Sequence, residues 1–159
     1  MTLKTGDKAP SFTMPTDTDT DISLSDYAGK NLILYFYPKD DTPGCKTEAC
    51  DFTDNLSALN SLNAEVLGVS KDSVAKHKKF KNKHKLTFPL ASDENTNVCE
   101  AYGVWGEKSM YGKTYMGIER TTFLIDGNGV IQKIWNKVKV SGHVNDIKEA
   151  LSELNKKAA

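Results

Sequence analysis

Cysteine is scarce in this 159-residue chain, with three residues in all. A chain of this length buries roughly 69% of its unfolded surface without covalent staples, so an odd handful of thiols does not read as a disulfide framework. In a reducing compartment their spacing points instead to chemistry, metal binding or packing. Long apolar runs are missing as well. The longest is six residues, Leu32 to Tyr37, where a membrane span needs about 20. No span is expected, nor a signal peptide, because MTLKTGDKAPSF has no apolar h-region; the cytoplasm is the expected location. Excess charge of one sign is also absent. Lys+Arg and Asp+Glu both number 21, so neither nucleic acid nor a membrane surface is an expected partner. The balance of 38% hydrophobic and 26% charged residues argues against disorder.

Arginine is scarcer still: of the 21 basic residues, Arg120 alone is not lysine. Arginine offers a fixed fork of donors and a charge that does not titrate. In so arginine-poor a chain, Arg120 is expected to occupy a place where lysine would not serve, against the alternative of an ordinary surface arginine. It stands immediately before a strand-like run, at an edge expected to lie beside the loop that carries Cys45.

No linker, repeat or composition break divides the chain, so residues 1–159 read as one domain. Residues 32–37, LILYFY, are β-prone, apolar on both faces and stopped by Pro38, which suits a central, doubly covered strand. A helical pattern follows from Cys45 to about Leu62, with Ala49, Phe52, Leu56 and Leu59 at 3–4 spacing. Residues 64–70 read as a second strand, and Ser70 or Asp72 as the cap of a helix reaching His84. Within that helix, KHKKFKNKHK at 76–85 reads as a solvated face with Val74, His77, Phe80 and His84 inside. A short strand begins at Leu90, and a short helix spans 94–102. Residues 121–126 and 130–136 flank Asp126-Gly127-Asn128-Gly129 as a hairpin. The last helix, about 142–156, sets Val144, Ile147, Leu151 and Leu154 on one face. This order predicts an α/β chain with a thioredoxin-like fold: a central mixed β-sheet flanked by helices on both faces.

Two motif-like segments lead nowhere. Asp17, Asp19 and Asp21 mimic the start of a calcium loop, but its sixth and twelfth positions hold Ile22 and Ala28 instead of Gly and Glu. A zinc site from the three cysteines with His77, His84 or His143 lacks any CxxC or HxxxH spacing, and no metal is expected.

The chemical centre is the loop Pro38-Lys39-Asp40-Asp41-Thr42-Pro43-Gly44-Cys45. A thiol in the first turn of a helix faces unpaired N–H groups and the positive end of the dipole, both of which favour the reactive thiolate. Asp40 and Asp41 would oppose this if they pointed inward, and are expected to face water. Cys50 follows five residues on. Along one α-helix the two Cα atoms stand roughly 8.5 Å apart, whereas a disulfide needs less than about 7 Å. Oxidation of this pair therefore requires the first turns to unwind. Cys99, in VCEAYG, reads as a packing residue.

Pro38-x3-Thr42-x2-Cys45 resembles the active-site motif of the peroxiredoxins. TPGC followed by Glu48, Ala49 and Cys50 is similar to their bacterioferritin comigratory protein, or Q-type, subfamily. The likeness runs from the GDKAPSF opening through LILYFYPKDDTPGCKTEAC and FPLASDENTNVCEAYGVWGEKSMYGKTYMGIERTTFLID to the final helix. It implies reduction of hydrogen peroxide and organic hydroperoxides without metal, haem or other cofactor. It implies Cys45 as the peroxidatic cysteine, Cys50 as the resolving one and a Cys45–Cys50 redox disulfide. Thr42, Pro38 and Arg120 match the supporting set. Glu48 would orient the arginine, and the Gly44–Cys45 backbone would bind developing oxyanion charge. Thr42 would hold peroxide and sulfur in line, and Pro38 would shield the sulfur. The family further implies a monomer recycled by thioredoxin or a similar dithiol, and a helix that melts readily implies resistance to overoxidation. Two other readings are weaker. A general thiol–disulfide oxidoreductase calls for Cys-x-x-Cys, where this chain has Cys-x4-Cys, and an anion-binding module would rest on the lysines of 76–85 alone.

Overall fold

The computed structural model describes residues 3–158. Two short strands, β1 (Thr13–Pro15) and β2 (Asp21–Ser23), pair antiparallel, and a single 3-10 turn follows at Leu24–Tyr27. The chain then enters β3 (Asn31–Phe36), all six of whose residues are buried. It continues through α1 (Pro43–Ser61), β4 (Ala64–Ser70), α2 (Val74–His84), β5 (Leu90–Ser92) and α3 (Val98–Ala101). Strands β6 (Trp105–Met110) and β7 (Lys113–Ile118) form a separate hairpin, before β8 (Thr121–Ile125), β9 (Ile131–Trp135) and α4 (His143–Ala158).

The five-stranded sheet has the order β5-β4-β3-β8-β9. Strands β3, β4 and β5 run parallel, while β8 is antiparallel to both β3 and β9. The mixed sheet expected from the sequence is present. Period-2 alternation sends the side chains of β3 to opposite faces. Ile33, Tyr35 and the following Tyr37 pack with Phe52 and Leu59 of α1, Phe80 of α2, and Ile147 and Leu151 of α4. Leu32, Leu34 and Phe36 pack with Phe12, Met14, Tyr102, Val104 and Phe123. The cover is thus uneven. Three long helices lie on one face; the other is closed by the β1–β2 hairpin, the 24–27 turn and the four-residue α3.

Helix α1 begins two residues before the expected start because Pro43 occupies its first position, where its missing N–H costs nothing. Helix α2 is capped by Ser73, whose hydroxyl accepts the Lys76 N–H, not by Ser70 or Asp72. Both hairpins β1–β2 and β6–β7 are additions to the sequence reading. The second turns at Tyr111-Gly112, with φ of 52° and 76°, the all-positive geometry of a two-residue hairpin turn. Its strands are mostly polar and β7 is largely exposed, so no apolar alternation marks them.

The topology sets up the site. Strand β3 delivers the Pro38–Thr42 segment at its C-terminal end. Antiparallel β8 begins at that same end, with Phe36 opposite Thr121. Arg120, one residue before β8, is thereby carried next to the start of α1.

Candidate active site

Cys45 is the third residue of α1 and is 1% exposed. Burial alone would suit an inert thiol, so its neighbours decide the matter. Thr42 is the N-cap by its extended backbone (φ −85°, ψ 154°), but no side chain caps the helix. The Thr42 hydroxyl donates to the Lys39 carbonyl at 3.0 Å instead. The orphan donors and positive end of the dipole are therefore left to the thiol. Arg120 adds a full charge: its Nη2 donates to Cys45 Sγ at 3.2 Å and its Nη1 to Glu48 Oε1 at 2.7 Å. One planar fork spans the sulfur and the carboxylate, a geometry that lysine cannot reproduce.

Glu48 lies one turn beyond Cys45 on the same face and is fully buried. Burial pushes its carboxyl up to about 7, against the pull of Arg120. Its second oxygen has no hydrogen-bond partner. Burial also works against the Arg120 charge, yet Glu48 and Cys45 outweigh it and raise the guanidinium's pKa. Gly44 makes room for this arrangement, because a Cβ there would stand 3.1 Å from Arg120 Nη2. The structure thus brings together Cys45, Arg120, Glu48 and Gly44. Pro38 is exposed at the head of the segment, and the Thr42 hydroxyl is spent on the Lys39 carbonyl.

Cys50 is partly exposed, and its thiol is pushed up by burial and by Asp54, then Asp51, with Lys46 opposing. All three cysteines are free. Cys45 and Cys50 sit in one unbroken helix, on sides about 140° apart. The closed structure therefore keeps them from bonding, as the spacing predicts.

One expectation is corrected. Asp41 does face solvent, paired with Lys83 and His84, but the Asp40 side chain is only 6% exposed. It turns inward because Tyr37 and His77 offer it polar partners at 2.6 Å each. Cys99 is fully buried, as a packing residue should be. Burial and the Asp93 carboxylate hold its thiol far above the ordinary range. The histidines are spent singly: His77 on Asp40, His84 on Asp41, and His143 on the Thr122 hydroxyl at 2.8 Å. Burial pushes His143 down to about 4. Among the described residues no group of three potential metal ligands converges, and none of the helices is long and apolar enough to cross a membrane. Asp17 and Asp19 are engaged by Lys81 and Lys78.

The chain is similar to known proteins along nearly its whole length. The model of the AhpC/TSA family matches residues 5–134. The putative peroxiredoxin bcp of Coxiella burnetii is 56% identical, over 92% of this chain and 97% of the relative. Peroxiredoxin Bcp of Bacillus subtilis is 50% identical, over 99% and 100%. Among solved structures, a cysteine-to-serine mutant of PrxQ from Xylella fastidiosa superposes with a TM-score of 0.90 at 40% identity, covering 100% of this chain and 99% of that one. A bacterioferritin comigratory protein of Xanthomonas campestris, described for its alkyl peroxide reduction activity, gives 0.84 at 43% identity over 89% and 90%.

Proposed function

The chain belongs to the AhpC/TSA family of peroxiredoxins, and on that premise we propose that Cys45 is its peroxidatic cysteine and Cys50 its resolving one. The protein is a thiol peroxidase, an oxidoreductase acting on hydroperoxides. The observation that carries the assignment of roles is the Arg120 fork, with one nitrogen on the Cys45 sulfur and the other on Glu48.

In the proposed cycle the Cys45 thiolate attacks the nearer peroxide oxygen, and the O–O bond breaks. The leaving oxygen takes the electron pair and a proton and departs as water or alcohol. Arg120 and the N–H groups of the Gly44–Cys45 turn stabilise the developing negative charge. Thr42 turns from the Lys39 carbonyl to accept the peroxide proton and to align the reactants. Pro38 shields the sulfur on the solvent side. Cys45 is left as a sulfenic acid. The first turns of α1 then open, the Cys50 thiolate attacks Cys45 Sγ, and water leaves as the disulfide forms. An external dithiol, thioredoxin or a protein like it, restores both thiols by exchange. We place this cycle in the cytoplasm, in a monomer that serves antioxidant defence.

The test follows peroxide consumption with thioredoxin, thioredoxin reductase and NADPH. Cys45→Ser is expected to lose turnover entirely. Cys50→Ser is expected to react once and then to accumulate sulfenic and sulfinic forms, seen by intact mass. Normal cycling of Cys50→Ser with thioredoxin would refute the resolving role.

A further inference from the structure

Helix α2 grips the segment that leads to Cys45 through His77, Lys83 and His84. The Tyr37 hydroxyl donates to Asp40 Oδ1 at 2.6 Å, and His77 Nδ1 stands 2.6 Å from Asp40 Oδ2. On its other side, His77 Nε2 stands 2.9 Å from the Ala91 carbonyl of β5. The Asp40 backbone N–H donates to Asp72 Oδ2 at 2.7 Å, and that oxygen also accepts the Ser70 hydroxyl. His77 is fully buried and Asp40 nearly so. One residue further, Asp41 holds a left-handed φ of 61°, while its carboxylate takes Lys83 and His84 of α2 at 2.7 Å each.

Both close partners of the His77 ring are acceptors. A neutral imidazole has one N–H and can serve only one of them. We infer that His77 and Asp40 form a buried hydrogen-bonded latch that holds the Pro38–Thr42 segment closed and so sets how fast the first turns of α1 open for Cys50. His77 and Asp40 are positioning residues in this scheme. The inference rests on the Cys45–Cys50 reading above.

Three features make this more than ordinary packing. Asp40 lies three residues from Pro43, the first residue of α1, so the helix cannot unwind far without moving it. The latch is buried, and breaking a buried pair by removing one partner costs far more than breaking an exposed one. The left-handed Asp41 leaves the segment strained, which favours release once the grip is lost.

The test uses pre-reduced full-length protein, a graded pulse of hydrogen peroxide, rapid acid quench and intact mass. Disulfide is read as the loss of two hydrogens and sulfinic acid as the gain of two oxygens. Asp40→Asn is expected to form the disulfide about tenfold faster and to yield correspondingly less sulfinic acid. Asp41→Asn, which weakens the two outer pairs to Lys83 and His84, is expected to shift the partition less than about twofold. A wild-type partition in Asp40→Asn would overturn the latch. Should that variant fold poorly, Tyr37→Phe keeps the His77–Asp40 contact and is expected to move the partition the same way by a smaller factor; no movement would again overturn the latch. A wild-type protein that never forms the disulfide would instead remove the resolving-cysteine reading, and the latch's kinetic role with it.

Discussion

Cys45 and Cys99 are both free, both buried and both near the start of a helix. They differ in what occupies the helix terminus. At α3 the Asp93 carboxylate accepts the N–H groups of Val98 and Cys99 at 3.0 and 2.8 Å. The dipole is answered by a fixed anion, and a second negative charge on Cys99 would be repelled. Lys71 pairs with Asp93 and Glu100 and does not reverse that outcome. At α1 no side chain answers the terminus, and a guanidinium stands beside the sulfur. Burial raises the cost of any unpaired charge, so low exposure magnifies both results. The two buried cysteines differ in the sign of the charge beside them.

Limited alkylation probes this contrast most directly. Cys45 is expected to be labelled about a thousandfold faster than Cys99, because the thiolate is the reacting form and Cys99 is held protonated. Peptide mass mapping after brief iodoacetamide exposure reads the ratio. Equal labelling would mean that the two environments do not differ as their charges imply. Arg120→Lys comes next. Lysine keeps the charge but lacks the planar fork whose two nitrogens reach Glu48 and Cys45 separately, so the peroxide step is expected to slow about 10- to 100-fold, with the fold intact by circular dichroism. Wild-type speed in this variant would show that the charge alone suffices.

The contrast was only half legible in the sequence. Cys45 stood out because Pro, Gly and a strand-to-helix junction can be read locally, and Arg120 because it has no arginine competitors. The central sheet was legible too, since β3, β4 and β8 are buried apolar runs bounded by turn residues. Asp40 was misread. Its inward turn depends on His77, 37 residues away on another element, and no local pattern announces that pairing. The cap on Cys99 was hidden for a similar reason. Asp93 reaches five and six residues ahead across a bend, beyond the span of the usual capping pattern. The β6–β7 hairpin escaped because its strands lack an apolar face, and only the Tyr111-Gly112 turn could have marked it.

Glu48 makes the Cys45 environment dependent on pH in a way that the Cys99 environment is not. Its folded value of about 7 lies above the ordinary 4.5, so the folded state holds this proton more tightly than the unfolded state. The contribution to stability is full below about 4.5 and is lost as pH rises towards 7. Compared with Glu48→Gln, the wild type is therefore expected to lose stability across that window, measured by urea melts. Activity should move the other way. Ionised Glu48 anchors Arg120, so the wild-type peroxide step is expected to gain severalfold relative to Glu48→Gln as pH rises through about 7. Parallel pH profiles for the two proteins would place the carboxyl outside the reaction.

Gly44→Ala offers the smallest and most discriminating change, because it should separate stability from rate. Gly44 lies in the first turn of α1 with an ordinary negative φ, so alanine suits the backbone and is expected to add about 0.5 kcal/mol of stability. The new Cβ, however, would stand 3.1 Å from Arg120 Nη2 and 3.8 Å from its Cζ. The guanidinium must yield by a few tenths of an ångström, and it is already committed to Cys45 at 3.2 Å and Glu48 at 2.7 Å. Displacement there loosens the group proposed to meet the leaving oxygen, so the peroxide step is expected to slow about threefold while thermal stability rises. Thermal melting and single-turnover peroxide loss on the same preparation measure the two effects. A variant that is both more stable and as fast as wild type would show that the fork tolerates crowding, and that proximity of the charge matters more than its aim.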